Sequence, residues 1–288
     1  MRVYEGMQGL GDNVYQRAVL EQVCAEHGRI ALLSPWPQVY AGLPIDVYAP
    51  RTTRLRTQRR NVVGLAMKSL PPTLRVTHRI GYGSAGTILE DLERSVGIRG
   101  ARLRMSLPSF PAPDLPRPYI VVRPATLRAE WRADARNPAP GLIAHAVSLM
   151  RKDFYVVSVA DVNGVAEWFS EPPPPSDHQY HAGELRVERL LGLMQHASGI
   201  IGGVGFALPV ALAYRIPMLL IYGGWGFFNG PQRVLDKRID SSHIVQASPR
   251  PLCMCTTRTH NCDKRIPDLE THVEHFRDVV ARRVALAA

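Results

Sequence analysis

The chain reads as two α/β units, each built on a parallel sheet, and three features predict this. Apolar runs of strand length alternate with amphipathic runs of helix length in both halves. Five prolines in eleven residues, "PSFPAPDLPRP" at 108–118, form a stiff stretch between the halves, because proline fixes its own backbone and restricts the residue before it. A length of 288 residues, 45% hydrophobic and 21% charged, suits two modest domains with separate cores. The expected boundaries are 1–110 and 118–288.

In the first half, Tyr15, Ala18, Val19 and Val23 fall on one face of a helix running from Asp12 to His27, and Gly28 closes it. "RIALLSP" reads as a buried strand ending at proline, and "IDVYAP" as a second strand with Ile45, Val47 and Ala49 alternating. "RTTRLRTQRR" is a solvated basic segment. "TLRVTHRIGYG" holds a third strand, and Ile88, Leu92 and Val96 form the stripe of a second helix. The second half restarts with the strand "YIVV", followed by a helix over 141–150 and the strand "FYVVSVAD". "EPPPP" marks an exposed connection. A helix from Glu184 carries Val187, Leu190, Leu191 and Met194 on one face. "GIIGG", "FALPVALAY" and "MLLIYGG" then read as strand, helix and strand. A last helix opens at Asp268 with Leu269, Val273, Phe276, Val280 and Val284 as its stripe. The sequence contains no internal repeat.

Composition narrows the function. There are 35 Lys+Arg against 25 Asp+Glu, a net charge of +10, which favours polyanionic partners such as nucleic acid, anionic headgroups or phosphorylated glycans. Four cysteines in a chain of this length make no disulfide framework, and the N-terminus shows no signal pattern, so a cytoplasmic location is expected. The longest apolar stretch, from Gly199, is broken by Pro209, Arg215 and Pro217 and does not read as a membrane span.

Four groups of residues could carry chemistry. "MQGLGDN" sets Gly9, Leu10, Gly11, Asp12 and Asn13 at the mouth of the first helix, where Asp12 serves either as an N-cap or as a base that takes a proton from an attacking hydroxyl. "GGVGF", with Gly203, Val204, Gly205 and Phe206, is a strand-to-helix turn of phosphate size. Tight packing is the competing explanation for its glycines. "YGGWGFFNGP" is another Gly-rich loop at a strand end, and the two are expected to be mobile and to converge. Arg123 and Arg128 follow the first strand of the second half and would neutralise a diphosphate, while Asp161 ends the next strand, where an acid can meet a ribose hydroxyl. Cys253, Cys255, His260 and Cys262 offer three sulfurs and an imidazole, but at C-x-C and H-x-C spacing rather than the wider intervals usual for zinc, so no metal is assigned.

These pieces, in this order, resemble glycosyltransferase family 9, the lipopolysaccharide heptosyltransferase group. The likeness lies in "GLGD" before the first helix, "VVRPATLRAEW" at the midpoint, "GELRVERLLGLMQHASGIIGGVGFALPVALAYRIPMLLIYGG", and the cysteine loop closing on "HNC". The resemblance implies a GT-B arrangement, two Rossmann-like domains with a cleft between them and no metal in catalysis. It implies an inverting glycosyltransferase with no resident cofactor and a nucleotide-diphosphate sugar as co-substrate. Asp12 would be the base; Arg123, Arg128, Asp161 and Gly203 to Phe206 would bind the donor. Gly11, Asn13, Arg54, Arg56, Arg59 and Arg60 would meet the acceptor. The family's Asp, Ser/Thr and His fall here on Val204, Gly205 and Pro209, and its midpoint lysine on Arg128, which points away from ADP-heptose. From the charge, the expected acceptor is a hydroxylated base in DNA, in a bacterial or virus-infected bacterial cell. A lipopolysaccharide or other glycan acceptor is the alternative, and a non-catalytic nucleic-acid or nucleotide-binding protein is a third reading.

Overall fold

A computed structural model describes residues 1–83, 86–100 and 102–287. The chain folds as two units, residues 1–109 with 232–239, and residues 110–231 with 240–288. Residues 232–239, expected in the C-terminal domain, therefore belong to the first unit.

The first unit holds β1 (Val3–Glu5), α1 (Leu10–His27), β2 (Ile30–Leu33), β3 (Ile45–Tyr48), α2 (Arg56–Gly64), β4 (His78–Arg79) and α3 (Ile88–Val96). Its four strands are parallel in the order β3-β2-β1-β4. At three residues, β1 is too short to show a period, yet it lies inside the sheet with Val3 opposite Ala31. The third strand is shorter than expected because the Thr77 hydroxyl, rather than a backbone carbonyl, accepts the Val3 N–H at 3.0 Å. The basic segment is not all loop. From Arg56 it is helix α2, because the buried Gln58 side chain accepts the N–H groups of Arg54 and Leu55 at 2.9 and 3.0 Å. In α3, Thr87 and Glu90 form a reciprocal cap and Gly97 closes the helix at φ 82°, a left-handed value that glycine adopts without strain.

The second unit holds β5 (Tyr119–Arg123), β6 (Thr126–Arg128), α4 (Leu142–Met150), β7 (Tyr155–Val159), β8 (Glu167–Phe169), β9 (His178–Tyr180), α5 (Val187–Gln195), β10 (Gly199–Gly202), α6 (Ala207–Tyr214), β11 (Met218–Ile221), α7 (Gly226–Asn229), α8 (Pro231–Val234, whose last residues belong to the first unit), β12 (Ile244–Ala247) and α9 (Leu269–Ala287). Six strands form a parallel sheet, β12-β11-β10-β5-β7-β9, and β6 pairs antiparallel with β8 as a separate ribbon. The central strands are buried on both faces and so read as continuous apolar runs. The stripe of α9 packs as expected, with Leu269, Val273, Phe276 and Val280 in the core beside Ile201, Leu219 and Val245. Gly199 lets α9 lie directly on β10, since a methyl there would come within 2.7 Å of Phe276 Cζ and 2.9 Å of Val280 Cγ2. Among the described residues no helix is long and apolar enough to cross a membrane.

Candidate active site and metal-ligand cluster

The turn after β1 is fixed by four side chains. Gln16 Oε1 accepts the Met7 N–H at 2.8 Å, and Asn13 Nδ2 donates to the carbonyls of Met7 and Gly9 at 2.8 and 2.7 Å. Trp36 Nε1 and Gln58 Nε2 both donate to Gln8 O, at 2.7 and 2.9 Å. Asn13 is fully buried, and its Oδ1 accepts from Ser34 and Tyr40 at 2.6 and 2.7 Å. Both ends of that buried amide are therefore occupied, Nδ2 by the turn and Oδ1 by Ser34 and Tyr40, and Asn13 does not face an acceptor.

Helix α1 begins at Leu10 with Gly9 as its N-cap, so Asp12 lies within the first turn and is not the cap residue. Its carboxylate folds back over Gly9, where an added methyl would meet it with Cγ at 3.1 Å. Gly9 itself has an ordinary extended backbone, φ −67°. The glycine is needed for the space that the Asp12 carboxylate occupies. Gly11 follows Leu10 inside the helix and is half-buried. The phenol of Tyr82 donates to Asp12 Oδ1. Arg54, Arg56, Arg59 and Arg60 are exposed, the last three on α2.

In the second unit, the turn from β10 to α6 runs through Gly203, Val204 and Gly205 to Phe206. Its glycines serve different ends. A methyl on Gly202 would crowd Arg123 Cβ and O, both at 3.2 Å, and one on Gly203 would meet Pro138 Cδ at 3.1 Å. Around Gly205 nothing lies within 4 Å of that position, so open space faces the start of α6. Packing accounts for the first two glycines and not for the third.

Arg123 and Arg128 converge on one acid that the sequence reading passed over. Arg123 Nη2 reaches Glu167 Oε1 at 2.6 Å, Arg128 Nε reaches Oε2 at 2.9 Å, and the Thr126 hydroxyl donates to Oε1 at 2.7 Å. Burial alone would raise the Glu167 pKa; the two guanidinium groups overcome it and hold the carboxyl below its usual range. The Arg123 side chain is 14% exposed and also donates to Val159 O at 3.1 Å, whereas Arg128 is 34% exposed. Arg123 is thus turned inward as a strut, with its guanidinium 5.9 Å from the Phe206 ring centre, and Arg128 is the more accessible cation. Asp161 is half-buried and bridges to Ala182 past the end of β7.

The cysteine loop is a compact knot. One ligand atom from each of Cys253, Cys255, His260 and Cys262 lies within 4.8 Å of the others. Three of the six separations are 3.6 Å from Cys253 Sγ to His260 Nδ1, 3.5 Å from Cys255 Sγ to Cys262 Sγ, and 3.3 Å from His260 Nδ1 to Cys262 Sγ. Ligands of a tetrahedral zinc or iron stand about 3.3–3.8 Å apart, given metal–nitrogen and metal–sulfur bonds of about 2.0 and 2.3 Å. The four residues therefore fit a closed, four-coordinate metal despite spacing that spoke against one. The knot is also bound to its surroundings. Trp225 Nε1 donates to Thr256 O at 3.0 Å, Gly226 N to Cys253 O at 2.8 Å, and Ala135 N to Arg258 O at 2.8 Å. The Gly-rich loop after β11, expected to be mobile, is pinned by these bonds.

The whole chain matches solved structures of sugar-transferring enzymes. Over 98% of its length it superposes on ADP-heptose lipopolysaccharide heptosyltransferase II of E. coli, covering 99% of that chain at 13% identity and a TM-score of 0.62. TibC of enterotoxigenic E. coli is a dodecameric, iron-containing heptosyltransferase solved with ADP-D-β-D-heptose. It matches over 98% of this chain and 76% of its own, at 17% identity and a TM-score of 0.58. A family 9 glycosyltransferase of Veillonella parvula matches at 12% identity, 98% and 97% coverage and a TM-score of 0.56. The fold is GT-B. Neither a family model nor a curated relative matches the sequence, so the likeness is one of architecture.

On this GT-B chain the expected site residues fall into two groups. Asp12 stands at the first helix mouth, Arg128 and the 203–206 turn are accessible, and Asn13 and Arg123 are structural. Glu167 was visible only as a single acid in "GVAEWFS", and nothing in that string says that two arginines fold onto it. Tyr82 and Arg233, described below, gave no local signal.

Proposed function

We propose that this protein is an inverting glycosyltransferase that moves a sugar from a nucleotide-diphosphate sugar to a hydroxyl of a glycan acceptor. The observation that carries the reading is fold likeness across nearly the whole chain to three glycosyltransferases, one of them bound to ADP-heptose. In this reading Asp12 is the base, and Arg128 with the turn 203–206 provides the donor contacts. Asp12 takes the proton from the acceptor hydroxyl as its oxygen bonds to the anomeric carbon, and the bond from that carbon to the diphosphate breaks to release a nucleoside diphosphate. Arg128 and the backbone N–H groups at the start of α6 offset the charge on the leaving diphosphate. Glu167 fixes Arg128 rather than cancelling its role, because only its Nε is bound to that carboxylate.

The DNA acceptor expected from the +10 charge draws no support from these relatives, two of which are heptosyltransferases and one of which is named for lipopolysaccharide. An anionic glycan satisfies the same electrostatics. The test is one reaction with ADP-heptose and a truncated lipopolysaccharide core, run beside hydroxymethylated DNA, with released ADP and product mass as readouts. A heavier glycan, abolished by Asp12→Asn, is expected. A heavier nucleoside would restore DNA, and full turnover by Asp12→Asn would remove the assigned base.

A second reading rests on the cysteine knot. Its geometry fits a metal and TibC is iron-containing, so we propose that Cys253, Cys255, His260 and Cys262 hold a structural iron or zinc. All four positions being protein ligands, the metal would brace the loop rather than take part in transfer. Elemental analysis of purified protein tests this, with about one metal per chain expected.

A further inference from the structure

Within the first unit, the loop after β4 delivers one side chain to the Asp12 carboxylate. We propose that Tyr82 is a positioning residue for Asp12, donating its phenolic proton to Oδ1 and fixing the rotation of the carboxylate. The inference rests on the reading of Asp12 as the base.

The loop is held from beneath by a buried cation. Arg233, 6% exposed, donates to Gly83 O at 2.9 Å and to Gly86 O, and pairs with the fully buried Asp91. Gly83 lies directly over that acid, since a methyl there would come within 2.8 Å of Asp91 Oδ1. Arg233 belongs to the segment 232–239, which is fastened in turn. Tyr15 Oη donates to Val234 O at 3.1 Å, the Thr87 hydroxyl to Asp236 Oδ2 at 2.7 Å, and Arg238 Nη1 to Glu93 Oε1 at 2.9 Å.

Such an arrangement is costly in stability. A buried ion pair surrenders the hydration of both charges and gains little over an apolar pair of the same shape. What this one secures is the place of a loop. Tyr82 itself is 41% exposed, so core packing does not explain an aromatic residue there; its hydroxyl points inward to Asp12.

A donor to a carboxylate favours the ionised form. Burial of the hydroxyl, and after it the Asp12 charge, hold the phenol well above its usual pKa, so it remains a donor throughout the working range. Among the described residues, the ionisable neighbours of the pair include Tyr15 on α1, Arg233 from 232–239, itself paired with Asp91 on α3, and Tyr40, which feels Asp12 and Arg17. Substrate deprotonation needs the carboxylate to present its lone pair at one angle, and a hydrogen bond to Oδ1 contributes to holding it there.

The test uses full-length protein carrying ¹³C-carboxyl aspartate, with Asp12→Asn identifying the Asp12 resonance and Tyr82→Phe removing only the hydroxyl. The Asp12 titration is expected to move up by about one pH unit in Tyr82→Phe, from the loss of one hydrogen bond to a charged group. In turnover with ADP-heptose and the glycan acceptor, the acid limb should move by the same amount, kcat should fall about tenfold, and the donor KM should hold. An unmoved Asp12 titration, with Asp12→Asn inactive, would overturn the role of Tyr82 and leave the base standing. Full activity of Asp12→Asn would overturn the base and, with it, the catalytic meaning of Tyr82.

Discussion

Glu167→Gln offers the sharpest check on the second unit. The carboxylate is 8% exposed on its side chain and accepts from Arg123, Thr126 and Arg128 at 2.6, 2.7 and 2.9 Å. Glutamine keeps one acceptor oxygen, which can serve Arg123 and Thr126, but turns an amide N–H₂ toward Arg128. It also removes the carboxylate bonded to a guanidinium 14% exposed, leaving Asp161 as a more weakly felt charge. Losing one partner of a buried ion pair costs about 3–5 kcal/mol. Arg128, a third exposed, recovers hydration and screens part of this, so the expected loss is about 3 kcal/mol, the low end of that range. Urea unfolding followed by tryptophan fluorescence reads it, because Trp131, Trp168 and Trp225 all lie in the second unit and Trp168 neighbours the substitution. The pH dependence has a fixed sign. The folded carboxyl sits below its usual pKa, so its contribution is complete above about pH 5 and is lost as pH falls through the depressed value. The gap between wild type and variant should therefore close in acid. A loss under about 1 kcal/mol, or a gap that persists unchanged at pH 3, would refute the account of Glu167 as the charge that holds both arginines.

The other expectations are brief. Gly9→Ala should leave the melting temperature nearly unchanged but cut turnover, because the methyl takes the place of the Asp12 carboxylate; a thermal melt beside the transfer assay separates the two. Gly199→Ala should destabilise the second unit by about 1–3 kcal/mol in urea, since Phe276 and Val280 leave no room for a methyl. Burial holds the His243 pKa below its ordinary value, so the folded state resists its protonation and stability should decline as pH drops below about 6.5; His243→Gln should flatten that decline in melts between pH 7 and 5. Cys255→Ser should lower bound metal well below one per chain and reduce the melting temperature, read by elemental analysis and a thermal melt.

Some of this molecule is local chemistry and was legible as such. Burial of whole strands makes "YIVV" and "MLLI" continuous apolar runs, a 3.6-residue period gives the α9 stripe, and Gly97 stops α3 because its left-handed backbone suits glycine. The ordered set of short motifs carried the GT-B architecture, and "GLGD" placed a carboxylate at a helix mouth. β1 escaped because three residues hold no period, β4 was placed but is only two residues long, and α2 escaped because a side-chain cap from Gln58, not an apolar stripe, starts it. The metal-ligand fit escaped because spacing along the chain does not report how a loop folds its sulfurs together. Glu167 between two arginines, Tyr82 on Asp12 and Arg233 under the Tyr82 loop join residues separated by 39 to 150 positions. Contacts of that range exist only after the sheets have formed. The sequence by itself determined which segments become strands and helices, since those preferences act over a few residues. Only the tertiary structure decided which charges meet, because burial sets both their partners and the cost of leaving one unpaired.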